Sequence, residues 1–118
     1  MSILERAEAD FREKLSGKMS SLEVPEWGEN GTPLKVFWKP LINFKAQEKI
    51  FALVSAGKTS EAVCQTLVTR ALDEEGKHLF QQNEMEKLMR FTDPNIISRI
   101  VEAMSPEEDE TIDSVKKN

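Results

Sequence analysis

Near the start of the chain, apolar side chains recur at the spacing of a helix. One face of a helix over residues 2–16 would carry Leu4, Ala7, Phe11 and Leu15. Ser2 and Glu5 have the spacing of a capping box, in which each side chain binds a backbone N–H of the first turn. The pattern predicts an amphipathic N-terminal helix within residues 1–18.

The hydrophobic period then changes to that of β-strands. Residues 19–24 and 34–39 both alternate apolar with polar side chains. Between them, residues 25–33 contain two prolines and the turn dipeptide Asn30-Gly31, which indicates a loop. We predict a two-stranded hairpin with a long connection. A lone hairpin is marginally stable in water, so it must pack on helices or on another chain.

From residue 43 onward the apolar spacing is helical again. Asn43 is a good N-cap for one helix, which Gly57 is expected to end. Thr59 or Ser60 is expected to cap the next helix. The wide apolar face of that helix continues to Leu72, and the acidic turn that follows breaks it.

Two shorter helices complete the predicted fold. Asn83 and Glu86 have capping-box spacing, and Asp93 precedes Pro94 as an N-cap precedes proline at the first helical position. The last apolar face comprises Ile96, Ile97, Ile100, Val101 and Met104. We predict a mainly α fold with a small β-hairpin (α+β). It is a helical domain of four to five helices with an N-terminal two-stranded hairpin, compact over residues 19–104.

The end of the sequence has a different composition. Five acidic residues fall within seven positions, 107–113, and apolar residues are few. Such a segment cannot bury enough apolar surface to form its own core. We therefore predict a disordered acidic tail over residues 105–118.

Composition limits the possible functions. The chain has 118 residues and a net charge of −5, which disfavours nucleic acid and anionic membranes as partners. It has no apolar run long enough to span a bilayer and no secretory signal, so we expect a cytoplasmic protein. The single cysteine, Cys64, has the spacing of a core residue, and the single histidine, His78, lies in a polar turn. We therefore predict no catalytic residue, cofactor or metal site, and hence a binding protein rather than an enzyme.

Three aromatic residues of the predicted hairpin are candidate partner-binding residues: Trp27, Phe37 and Trp38. Trp27 lies in the turn-rich connection, and Phe37 lies on the strand face opposite the apolar one. Large aromatic side chains are favoured interface anchors. Intramolecular cover of Phe37 by the N-terminal helix is the alternative interpretation.

The order of segments resembles that of tail assembly chaperones from long-tailed bacteriophages. The first matching element is Val24-Pro25-Glu26-Trp27-Gly28, followed by a turn and a strand that ends in Lys39-Pro40-Leu41. The second runs from Leu67 to Phe80 and includes the acidic turn Asp73-Glu74-Glu75-Gly76-Lys77-His78-Leu79-Phe80. The resemblance covers about residues 20–104.

This resemblance implies a role in phage or prophage tail morphogenesis in the host bacterial cytoplasm. Such chaperones coat the tape measure protein, recruit major tail tube subunits and are absent from the finished tail. Self-association is a further possibility that the sequence leaves open. The competing interpretation is a small regulatory adaptor or inhibitor that binds one host or phage protein.

Overall fold

The computed structural model describes residues 2–105, so the predicted acidic tail lies outside the described residues beyond Ser105. The elements are α1 (Ile3–Leu15), β1 (Ser20–Glu29), β2 (Thr32–Trp38), α2 (Phe44–Ser55), α3 (Thr59–Arg70), α4 (Met85–Phe91) and α5 (Pro94–Ala103). A single turn of 3₁₀-helix, Gln82–Glu84, precedes α4. Over the described residues, this arrangement confirms the predicted α+β fold.

Local capping explains where three of the helices begin. The Ser2 hydroxyl accepts the Glu5 N–H at 3.1 Å, and the Glu5 carboxylate accepts the Ser2 N–H at 3.1 Å, which is the predicted capping box. Asn43 and Asp93 each accept a backbone N–H from the first turn of α2 and of α5. Side-chain caps of this kind satisfy donors that have no partner within the helix.

Two predicted helix boundaries are wrong. Lys58, rather than Thr59 or Ser60, occupies the N-cap position of α3. This helix ends at Arg70, so Leu72 is not on its apolar face. Leu72 instead exchanges two backbone hydrogen bonds with Phe37 on β2, at 2.9 and 2.8 Å, and this non-local pairing takes the chain out of the helix.

The capping pair before α4 is also shifted from the predicted one. The Glu84 carboxylate accepts the Gln81 N–H at 2.8 Å, so this pair takes the place of Asn83 and Glu86. The shift of two residues allows the 3₁₀ turn to precede the α-helix.

The hairpin is longer and its turn is tighter than predicted. Asn30 and Gly31 have φ values of 51° and 79°, which is the left-handed conformation of a two-residue hairpin turn. Most of residues 25–33 therefore belongs to strands, and the predicted long connection is wrong. The two prolines are accommodated by a bulge, in which residues 25–28 lie opposite Pro33 alone.

A short hairpin-like segment extends the two-stranded sheet. Leu72 pairs with Phe37 on one side and with His78 on the other, both antiparallel. The Asp73 carboxylate holds the intervening turn by accepting the N–H groups of Glu75 and Lys77 at 2.8 and 3.0 Å. The predicted acidic turn is therefore confirmed as a turn.

The core lies around α3, between the hairpin and helices α4 and α5. Its buried side chains are Val24, Val36, Trp38, Cys64, Leu67, Val68, Ala71, Leu88, Ile97, Ile100 and Met104. Arg70 fastens the edge of this core. Its Nη1 donates to the Met104 carbonyl at 3.0 Å, and its Nη2 donates to the Lys39 carbonyl at 2.6 Å. These bonds join the ends of β2, α3 and α5.

Candidate functional site

The bulge of β1 places Trp27 against a distant part of the chain. Its indole meets the Phe80 ring edge-on, with centroids 6.0 Å apart and planes at 77°, a favourable arrangement for aromatic pairs. Trp27 belongs to the first segment that carries the family resemblance, and Phe80 ends the second. The structure therefore brings the two segments into contact.

The neighbours of Trp27 fix the bulge from both sides. Glu26 forms a bidentate ion pair with Arg99 on α5, with Nη2–Oε1 and Nη1–Oε2 distances of 2.7 and 3.0 Å. This hydrogen bonding lowers the pKa of Glu26. Gly28 lies so close to the opposite strand that a Cβ atom there would be 2.1 Å from the Thr32 carbonyl oxygen. Glycine is therefore a steric requirement at this position.

The three candidate partner-binding residues lie in different environments. Trp38 is 6% exposed and belongs to the core, where it packs the hairpin against the helices. Trp27 is half-buried on Phe80, and Phe37 is half-buried on the strand face opposite Trp38. The structure does not bring Trp27 and Phe37 together, because Phe37 pairs with Ser21 at the far end of β1 from Trp27. Partner binding by these residues stays a prediction.

A more exposed apolar surface lies on α2. Phe44 is 86% exposed and Phe51 is 60% exposed. Val54 is exposed as well, and seven- and three-residue spacings place the three side chains along one stripe of the helix. We call Phe44, Phe51 and Val54 the α2 stripe. Ile50 and Leu53, on a different side of α2, are half-buried.

Sequence reasoning assigned Phe44, Ile50, Phe51 and Val54 to a single helix face and so missed this surface. The available signal was the width of the apolar pattern, since α2 also contains Leu53. A helix that packs on one neighbour needs a single apolar face. The excess apolar residues of α2 therefore indicate a second face.

Helix α1 also leaves apolar side chains uncovered. None of its residues is buried, and Ile3 and Leu4 are exposed. Phe11 and Leu15 are half-buried at the wall of an open groove of about 490 Å³ that also includes Leu41. The predicted amphipathic helix is therefore present, and its apolar face is only partly covered.

Cys64 and His78 occupy contrasting environments. Cys64 is buried, and burial raises the pKa of its thiol, which disfavours the reactive thiolate. His78 is exposed. Within residues 2–105, no group of three or more His, Cys, Asp or Glu side chains could hold a metal ion. In the same part of the chain, no helix has the length and apolar character to cross a membrane.

Comparisons with known proteins identify a similar fold. No family model matches the sequence, and no curated protein matches it. A solved structure described as that of the bacteriophage HK97 tail assembly chaperone superposes with a TM-score of 0.59 at 17% identity. The match covers 80% of this chain and 94% of the HK97 chain. This chain therefore has the fold of that phage tail assembly chaperone, as the sequence resemblance implied.

Proposed function

We propose that this chain is a tail assembly chaperone of a long-tailed bacteriophage or prophage, acting in the host bacterial cytoplasm. In this proposal it coats the tape measure protein, recruits major tail tube subunits and is absent from the finished tail. The observation that carries the proposal is the fold shared with the HK97 tail assembly chaperone over 80% of this chain and 94% of that one.

The α2 stripe supplies a physical basis for binding a helical client. Phe44, Phe51 and Val54 are exposed along one line of the helix. Exposed apolar patches on soluble proteins commonly mark protein interaction sites. Two helices with apolar stripes bury them by packing side by side, which is a recurring mode of helix recognition. The tape measure protein, as the resemblance describes it, has long helices that would aggregate if such stripes were left bare.

The character of this surface suits a chaperone that must later leave. A stripe on one helix covers much less area than an obligate interface, and small interfaces are typical of transient complexes. Many weak contacts along an extended client can hold it in solution together. Each copy can still dissociate when tail tube subunits take its place.

Co-expression with the tape measure protein of the same phage tests the proposal. We expect the wild-type chain to keep the tape measure protein in the supernatant and to co-purify with it. Replacing both Phe44 and Phe51 by Ser should weaken binding by at least about tenfold, or about 1.4 kcal/mol, because aromatic anchors dominate interface energies.

Phe91→Ser is the matched control, because Phe91 is 78% exposed and lies on α4, away from the α2 stripe. It should bind like the wild type. Failure of the wild-type chain to bind the tape measure protein would overturn the proposed function. Equal loss of binding in both variants would overturn the assignment to α2. Capture of tail tube subunits by the complex tests recruitment separately.

A further inference from the structure

The groove beside α1 has an unusual mixture of side chains. Its apolar wall comprises Phe11, Leu15, Leu41, Ile42 and Ala46, from α1 and the start of α2. Its opposite wall includes Lys39, Arg70 and His78. Among the described residues that line it there is no Asp or Glu, although the chain as a whole has a net charge of −5. The groove therefore suits a segment that carries both carboxylates and an apolar side chain.

The described part of the chain ends at this groove. Arg70 lines it and donates a hydrogen bond to the Met104 carbonyl at 3.0 Å. Met104 is one residue before Ser105, the last described residue. The following segment, residues 106–118, therefore starts next to the cationic wall.

That segment has the composition and length to reach along the groove. Carboxylates occur at 107–110 and 113, and Ile112 lies between them. Thirteen residues follow Ser105, and extended chain covers about 3.3 Å per residue, so the reach is about 40 Å. A segment that cannot form a core by itself can still order on a partner surface.

We propose that the acidic segment 107–113 binds in the groove beside α1 of its own chain. Its carboxylates lie against the wall that contains Lys39, and Ile112 lies against the apolar wall that contains Leu41. The contact covers the half-buried side of α1 and leaves the α2 stripe exposed. It does not depend on the proposed chaperone function.

Paramagnetic NMR on the full chain tests this placement. A nitroxide label is attached at Ser114→Cys, while burial shields Cys64 from the label. At low salt we expect strong broadening of the Phe11, Leu41 and Ile42 amides and none at Phe91. Salt at about 1 M, where the Debye length is about 3 Å, should remove much of this broadening because the binding is partly electrostatic.

Two charge variants and one control make the result specific. Lys39→Glu should abolish the broadening at Leu41 and Ile42, whereas Lys87→Glu, the same charge change at an exposed position on α4, should leave it intact. Neutralising the five acids of 107–113 to Gln or Asn should also abolish it, and this variant leaves every described residue unchanged.

Three outcomes would overturn the proposal. The first is the absence of broadening in the wild type, and the second is equal broadening at the groove and at Phe91. The third is broadening of unlabelled, isotope-enriched chains mixed with labelled ones, because the segment would then be bound by a second copy.

Discussion

Helices α2 and α3 are both 12 residues long and follow one another in the chain, yet they are buried to very different extents. Five residues of α3 are buried: Ala62, Cys64, Gln65, Leu67 and Val68. No residue of α2 is buried, although α2 carries two phenylalanines together with Ile50, Leu53 and Val54. The helix with the larger apolar side chains is therefore the exposed one.

The difference arises from the number of neighbours that each helix has. Helix α3 packs against α2, α4 and α5, so several of its faces are covered, including the polar one. Its buried Gln65 is satisfied by a reciprocal amide pair with Gln82, at 3.0 and 2.9 Å. A buried polar side chain needs such a partner. Helix α2 packs mainly on α3 and keeps a surplus of apolar surface. That surplus is the physical basis for assigning α2 to partner binding and α3 to stability.

The largest expected effect concerns the core side of this comparison. Leu67 is fully buried on α3, and Leu67→Ala should lower the free energy of unfolding by about 2–5 kcal/mol, through lost burial and the cavity left behind. Phe51→Ala on α2 should change it by no more than about 0.5 kcal/mol, since its side chain is largely in solvent. Urea denaturation measures both. Equal losses would contradict the division between the two helices.

The hairpin should behave like α3 because it contributes Val24 and Val36 to the core. Gly28→Ala places a Cβ 2.1 Å from the Thr32 carbonyl oxygen, so the strands must separate locally. We expect a loss of about 1–3 kcal/mol in unfolding free energy, typical of overpacking. Gly17→Ala is the control, because its Cβ would meet nothing closer than 3.5 Å. A stable Gly28→Ala variant would show that the bulge is free to rearrange.

Much of this division could be predicted from sequence, because many helix ends depend on nearby residues. The capping box at Ser2 and the caps at Asn43 and Asp93 were predicted correctly for that reason. The end of α3 was not, because Leu72 leaves the helix to pair with Phe37, which is 35 positions earlier in the chain. The exposure of Phe44 likewise depends on which elements pack nearby, and no local pattern specifies that.

Whether the hairpin also binds a partner can be measured against the α2 stripe. The sequence predicts that Trp27→Ala and Phe37→Ala each weaken binding of the tape measure or tail tube protein by about 1–3 kcal/mol, as loss of an aromatic anchor does. Both side chains are half-buried, so the unfolding free energy of each variant must be measured alongside binding. Normal binding by both folded variants would leave α2 as the better-supported surface. Unfolding of both would assign them to the core side.

The smallest expected effect concerns the ion pair that joins the bulge to α5. Hydrogen bonds from Arg99 lower the pKa of Glu26 in the folded protein. The folded state therefore favours the ionised carboxylate, and this stabilisation is complete above the unfolded pKa of about 4.3. It is lost as the pH falls through the lower, folded value. Glu26→Gln should thus lower the thermal midpoint slightly at pH 7 and make no difference once the carboxylate is protonated. The gap should also narrow in high salt, because both side chains are nearly half exposed and salt screens such pairs. Differential scanning calorimetry from pH 7 to about pH 3 measures this convergence. A gap between the two proteins that widens as the pH falls would contradict the role given to the pair.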